Sequence, residues 1–583
     1  MTARRIATFS VAAALCVALA GPAPASAATE GSAAPVDVIV RELPGTGDRP
    51  ERAVAAFGGI VERRLGIIDS FSAKVPADRV AALREVPGID TVSEDVPVRL
   101  TSTEVESTNS STGSLDSITD VIGAQHYWDR GVTGRGVDVA VIDSGVVPVN
   151  GLSAAGRVVR GPDLSFEASA CDGSTCTASP VRHLDTYGHG THVAGIIAGR
   201  DDATPSPVSS KDTGNFKGVA PDARIVSVKV ADAYGATDVS QVIAAIDWVV
   251  QNRAKNGLNI RVLNLSFGTD GIQDYRLDPL AHAAEVAWRN GIAVVVAAGN
   301  GGYGTNKLNN PAYDPFVIAV GGVDDNGTLG TGDDVIPAWS STGDGGRNPD
   351  LVAPGRSLIS LRAPGSYLDE HNPGARTGER FFRGSGTSQS SAVVAGAAAL
   401  LLQQRPEMNP DQLKKLLRDT AKALPAADPI AQGRGLVDLR AAKDTPTPSA
   451  DSAAQKWERS TGRGTLDGAR GGQHLTYDGT TLTGEFDVTG SAWDAAKWST
   501  DAAARTTWSG SSLISSGWEG GAWNGREWFV TGAGGAPSMT WSGRTWSGMS
   551  WSGMSWSGMS WSGMSWSGMS WSGMSWSSAG WGE

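Results

Sequence analysis

Apolar positions between residues 115 and 445 fall into two alternating patterns. Five short runs, at 137–142, 224–230, 260–267, 292–298 and 316–323, are apolar at nearly every position, so both faces of each must be buried. Longer segments of helical period separate or follow them, at 240–252, 279–290, 390–404 and 410–424. The segment Ala392–Leu402 is apolar almost throughout, yet it is far shorter than the roughly 20 residues of a bilayer span and reads as a core helix. The fold class this predicts is α/β, a doubly wound, mostly parallel sheet with helices on both faces.

Ahead of that region the period changes. Strands of period two lie in VDVIVREL, IVERRLGIIDSFSAKV and IDTVSEDVPV, and two helices follow Pro50 and Pro76. The β-α-β-β-α-β order predicts a small α+β, ferredoxin-like domain over residues 36–100. Thr101–Ser114 is polar and aperiodic, the composition of an exposed, cleavable linker. At the start of the chain, Arg4 and Arg5 precede the apolar run Val11–Ala20, which ends in the small residues Ala25, Ser26 and Ala27. This is the pattern of a secretory signal peptide over 1–27, and the run is short for a membrane anchor.

After Asp444 the segment TPTPSADS reads as a linker, and the C-terminal remainder holds 16 of the chain's 20 tryptophans. It divides into a Trp/Gly-rich region, 446–540, and WSGMS pentapeptide repeats, 541–583. A five-residue period puts successive Trp rings on alternate faces of a flat strand. Three readings stay open: an ordered β array of stacked rings, an aromatic surface for cell-surface contact or self-association, and a flexible Gly/Ser-rich extension.

Formal net charge is -12 with no dense Lys/Arg block, which argues against a nucleic-acid partner. Cys16 lies within the signal-peptide segment, leaving Cys171 and Cys176, which export would place in an oxidising compartment. A local disulfide between them is expected, since two thiolates without a further ligand nearby make a poor zinc site.

Three segments each present one polar group at the end of an element. Asp143 ends an apolar strand, where open α/β sheets build their sites. His189 sits among glycines with a helix starting behind it, and Ser388 precedes the apolar helix directly, so that N–H groups point at any developing anion. The set fits nucleophilic acyl transfer: Ser388 attacks, His189 moves the proton, and Asp143 orients and stabilises the imidazole. Asn300, after a buried strand and a glycine, can supply an oxyanion donor.

The segments VAVIDSG, GHGTHVAG, NLSFG, VAAGN and SGTSQSSAVVAG resemble the motifs of subtilisin-like serine proteases, across roughly residues 115–445. The order Asp, His, Ser is also that family's. The resemblance implies a secreted serine endopeptidase that hydrolyses peptide bonds in proteins and needs no cofactor for catalysis. Calcium is common in the family, but no loop offers a convincing ligand set, so the metal is unassigned. By the same resemblance Ser266, Phe267 and Gly268 pair with substrate and wall its first pocket, Ala297, Ala298 and Gly299 form the opposite wall, and Asn309 is the floor. Asn309 reads equally as a turn residue ahead of Pro311. The chain departs from the family after the nucleophile, where Met and Ala are usual and Gln389 and Ser390 stand instead, so Gln389 is expected to alter the leaving-group side of the cleft.

The unit at 36–100 resembles the inhibitor propeptide of such proteases, with a small accessory domain as the alternative. The organisation implied is a propeptide at 28–100, a linker at 101–114 and a catalytic domain at 115–445, with self-cleavage between Leu100 and Ile118. The partners implied are protein or peptide substrates and the chain's own propeptide as an intramolecular inhibitor. The location implied is extracellular, with cell-wall association through the tail as an open extension.

Overall fold

The computed structural model describes residues 35–94 and 113–507, except 44, 66–69, 166, 173–174, 180, 272, 303–307, 473, 478–479 and 489–491. The signal-peptide segment, most of the linker and the pentapeptide repeats lie outside the described residues. The chain divides into two compact units at Thr101/Ser102.

The first unit follows the predicted order: β1 (Pro35–Glu42), α1 (Arg49–Ala56), β2 (Ile60–Leu65), β3 (Ser70–Pro76), α2 (Val80–Arg84) and β4 (Ile89–Glu94). Its antiparallel sheet has the order β2-β3-β1-β4. Val38, Val40, Phe71 and Val75 from the sheet pack on Val54 and Leu83 from the helices, a core of its own. Pro76 fixes the start of the second helix, whose first turn, Ala77–Arg79, is 3₁₀.

The second unit is built on seven parallel strands: β5 (Asp138–Asp143), β6 (Val158–Asp163), β7 (Arg224–Lys229), β8 (Ile260–Leu265), β9 (Ala293–Ala297), β10 (Ile318–Val323) and β11 (Leu351–Pro354). Their order is β11-β10-β9-β8-β5-β7-β6. The five predicted strands form the middle of the sheet, and the two edge strands, β6 and β11, went unseen because Gly161, Pro162 and Pro354 are poor strand formers. Every residue of β5, β9 and β10 is buried, so both faces are covered. The helices that do this are α3 (His189–Ala198) against α6 (Thr387–Gln404), and α4 (Val239–Asn252) against α5 (Pro279–Arg289). The helix predicted over 410–424 runs from Pro410 to Thr420, because Lys422 leaves it to pair with Leu436. Among the described residues no helix is long and apolar enough to cross a membrane.

Gly113, ahead of the first helix of this unit, is tied down. Gly113 accepts from Ile359 N at 2.8 Å, and Ser114 caps the helix Leu115–Val121. Gly113 has φ +76°, and a Cβ there would collide with the Ser357 carbonyl oxygen, so glycine is required.

The boundary drawn at 445 needs correction. Pro448 accepts from Gln412 Nε2 at 2.8 Å, Ser449 caps Ala450–Ala453, and Leu466, Ala469, Leu482, Val488 and Trp498 join the same hydrophobic core as the sheet. The stretch reads as a linker in sequence because its apolar anchors are far apart, with short turns between them.

Candidate active site

The carboxyl ends of the parallel strands converge on one place, the crevice where open α/β sheets hold ligands. Asp143 ends β5, and His189 opens α3 after Gly188, whose φ of +111° lets the chain turn sharply. His189 Nδ1 lies 2.9 Å from Asp143 Oδ1 and 3.0 Å from Oδ2. Both side chains are buried, so this contact is shielded from water.

Asp143 is held in turn. Ser144 donates to its Oδ1 through the backbone N–H at 2.7 Å, and the Ser144 hydroxyl lies 3.1 Å from Asp143 Oδ1 and 2.8 Å from Asp185 Oδ1. Asp185 accepts from Gly188 N at 2.6 Å and Thr191 N at 2.7 Å, which orders the loop into His189, as its position in the motif predicts. Burial pushes the Asp185 carboxyl above its ordinary range. His192 is fully buried, its pKa is driven down to about 3 by burial, and Nε2 lies 3.2 Å from Phe382 O. It stays neutral and pins the strand Phe381–Gly384 that leads to Ser388.

Ser388 lies in the first turn of α6, and its Oγ donates to the Ser266 carbonyl at 2.8 Å. Asn300 follows β9. Its Oδ1 accepts from Thr387 N and Thr387 Oγ1, each at 2.8 Å, so the hydrogens of its amide are what Asn300 has left to offer the crevice. Thr387 Oγ1 also accepts from Gly299 N at 3.2 Å. Sequence reasoning missed Thr387; a hydroxyl residue adjoining Ser388 at a helix start was the available signal. Gln389 is fully buried, and neither its Oε1 nor its Nε2 has a partner among the described residues.

The residues assigned to the pocket come together. A Cβ on Gly268 would lie 2.8 Å from Asn309 Cβ, and one on Gly299 would collide with Asn309 Oδ1, so the two segments approach the same side chain from different strands. Phe267, Ala297 and Ala298 are buried beside them. Ser266 is fixed by its hydroxyl, which accepts from Asn264 Nδ2 at 2.6 Å. Away from this site, Cys171 and Cys176 are directly paired in the register of the hairpin Ser169–Asp172/Thr175–Ala178. Among the described residues no group of three or more His, Cys, Asp or Glu could hold a metal ion.

Residues 134–464 match the Subtilase family, and residues 18–95 match a peptidase inhibitor domain family. Serine protease AprX of Bacillus subtilis is 36% identical over 332 residues, 56% of this chain and 70% of that protein. Minor extracellular protease Epr of the same species is 28% identical over 406 residues, 68% of this chain and 54% of that protein. Among solved structures, fervidolysin from Fervidobacterium pennivorans, described as a keratinolytic enzyme related to subtilisin, aligns with a TM-score of 0.44 at 25% identity, over 72% of this chain and 62% of its own.

Proposed function

The chain belongs to the subtilase family of serine proteases, and from that premise we propose that it is a secreted endopeptidase, made as a zymogen, in which Asp143, His189 and Ser388 carry out acyl transfer. The observation that carries this reading is the contact of His189 Nδ1 with both Asp143 oxygens, together with the place of Ser388 in the first turn of α6, the helix that packs against α3.

On this reading Ser388 Oγ first leaves the Ser266 carbonyl and turns to His189 Nε2, which takes its proton as the oxygen attacks the scissile carbonyl. The same proton then passes to the departing amine, and water hydrolyses the acyl-enzyme by the reverse sequence. Asp143 keeps the Nδ1–H tautomer and stabilises the imidazolium. The tetrahedral oxyanion receives Asn300 Nδ2 and the Ser388 N–H at the positive end of α6. Structural calcium is left without a ligand set.

Ser266–Gly268 and Ala297–Gly299 serve as pocket walls and Asn309 as the floor, a neutral amide with no counter-charge for an ionic side chain. The hairpin register puts the Cα atoms of Cys171 and Cys176 at about 4.5–5.5 Å, a separation a disulfide spans, which supports that bond. Export is supported by the signal-peptide pattern and by the extracellular relative Epr. The inhibitor-type domain supports a propeptide that blocks the cleft until the linker is cut.

Purification of the chain beside its Ser388→Ala variant tests the reading. The parent is expected to shed the N-terminal module, start between Leu100 and Ile118 and cleave casein, whereas the variant retains the module and cleaves nothing. A parent that keeps the module and leaves casein intact refutes it.

A further inference from the structure

The pocket segments share a support from outside the part of the chain that matches the family. Thr269, next to Gly268, exchanges main-chain hydrogen bonds with Asn310, next to Asn309, at 3.0 and 2.8 Å. Both side chains then donate to one atom, the carbonyl oxygen of Ala469, Thr269 Oγ1 at 2.6 Å and Asn310 Nδ2 at 3.3 Å. Thr269 and Asn310 are buried, so these bonds do not compete with bulk water. Gly271 leaves room for the arrangement, since a Cβ there would lie 2.9 Å from Asn310 Nδ2 and 3.1 Å from Ala469 O.

Ala469 is itself anchored. It lies in the short helix Leu466–Arg470, capped by Thr465. The Thr465 main chain pairs with the Gln273 amide, accepting from Nε2 at 2.6 Å and donating to Oε1 at 3.0 Å. The Arg470 side chain is fully buried and donates to Asp238 Oδ1 at 2.7 Å, Gly484 O at 2.8 Å and Phe486 O at 2.6 Å. Burial alone would push Asp238 up, but Arg470 holds its carboxyl below the usual range. The next turn closes with Gly472 N donating to Asp270 Oδ1 at 2.9 Å. The Subtilase match ends at residue 464, so both Ala469 and Arg470 lie beyond it.

We propose that the Ala469 carbonyl, anchored by Arg470, is a positioning element of the substrate pocket: it sets the spacing between the wall at Ser266–Gly268 and the floor at Asn309, and with it the choice of side chain that precedes the cleaved bond. The inference rests on the reading of those residues as the pocket. It makes the segment after 464 a determinant of specificity, acting through Thr269 and Asn310 and not by touching substrate.

Thr269→Val keeps the shape and deletes the donor, and Thr269→Ser keeps the donor. The purified full chain and both variants are assayed on p-nitroanilide peptides that differ only in the residue before the cut, alanine, leucine or phenylalanine, with unfolding midpoints measured alongside. T269V is expected to raise KM for the preferred peptide about fivefold, the scale of one lost hydrogen bond, and to flatten the preference while kcat stays within about twofold; T269S behaves as the parent. A loss of stability alone would leave KM and preference unchanged. A T269V enzyme with parental KM values and preference overturns the proposal and leaves the protease reading intact. A parent that cleaves neither these peptides nor casein overturns both.

Discussion

Thr387 gives both its main-chain N–H and its hydroxyl hydrogen to a single atom, Asn300 Oδ1, each at 2.8 Å. The residue before Ser388 thereby sets the orientation of the Asn300 amide, which the proposed mechanism uses as an oxyanion donor. Asn300→Ala is expected to lower kcat by about 100- to 1,000-fold, a magnitude taken from the equivalent loss in subtilisin itself. Thr387→Val, which keeps one of the two bonds, should lower kcat by about tenfold with KM little changed, and Thr387→Ser should restore it. Steady-state kinetics on one peptide substrate measures all three. Equal rates for Thr387→Val and parent would remove Thr387 from this role.

A second prediction concerns pH. Asp247 in α4 is buried, accepts from the Trp498 indole at 3.1 Å, and is pushed up to about 7 by burial. Between pH about 4 and 7 the folded chain therefore holds a proton that the unfolded chain releases, so this group's contribution to stability falls as pH rises through that window and is flat above it. Asp247→Asn should raise the unfolding midpoint at pH 8 more than at pH 4, in thermal scans of the two proteins. A shift of equal size at both values would contradict the assignment.

The extent of the second unit gives a third. Trp498 is fully buried in the core shared with the sheet, so Trp498→Ala should cost about 3–5 kcal/mol, read from denaturant unfolding. A chain ending after Asp444 should fail to accumulate as a soluble protease, and one ending after Thr507 should fold and cleave casein. A well-folded chain ending after Asp444 would show that residues 445–507 are dispensable.

Gln389 supplies the fourth. With both amide atoms buried and unpaired among the described residues, Gln389→Met should stabilise the fold by about 1–3 kcal/mol, since no unpaired polar atoms would remain at that position. Calorimetry of the Ser388→Ala background keeps self-digestion out of the measurement. A lower midpoint for the Met variant would mean that the amide is satisfied in solution.

The centre of the fold was legible in the sequence for a physical reason. Strands such as Asp138–Asp143 and Ala293–Ala297 are buried on both faces, so their interior positions, Val139 to Ile142 and Ala293 to Ala297, are all apolar. Asp143, His189, Ser388 and Asn300 stand out as candidates in the sequence because acyl transfer restricts residue type and because glycines near them mark sharp turns, and the structure joins Asp143 to His189. The edges were not, as Val158–Asp163 and Leu351–Pro354 show, since edge strands tolerate Gly and Pro. Nor was the support at Ala469, because it acts through a main-chain oxygen, and a carbonyl leaves no trace in residue type. Arg470 and Asp238 are 232 positions apart, too far for any local pattern to join them.

The anchoring of Gly113 bears on which of the chain's own peptide bonds can be cut without harm. A protease reads substrate in an extended, released backbone, and from Gly113 onward the backbone is clasped, with the Gly113 carbonyl bound to Ile359 and Ser114 capping a helix. Severing the chain at that clasp would separate the helix Leu115–Val121 from its tie to Ile359. On the proposed maturation, a cut ahead of Gly113 would leave this clasp intact, and a few residues of the segment 101–112 should stay on the new amino terminus.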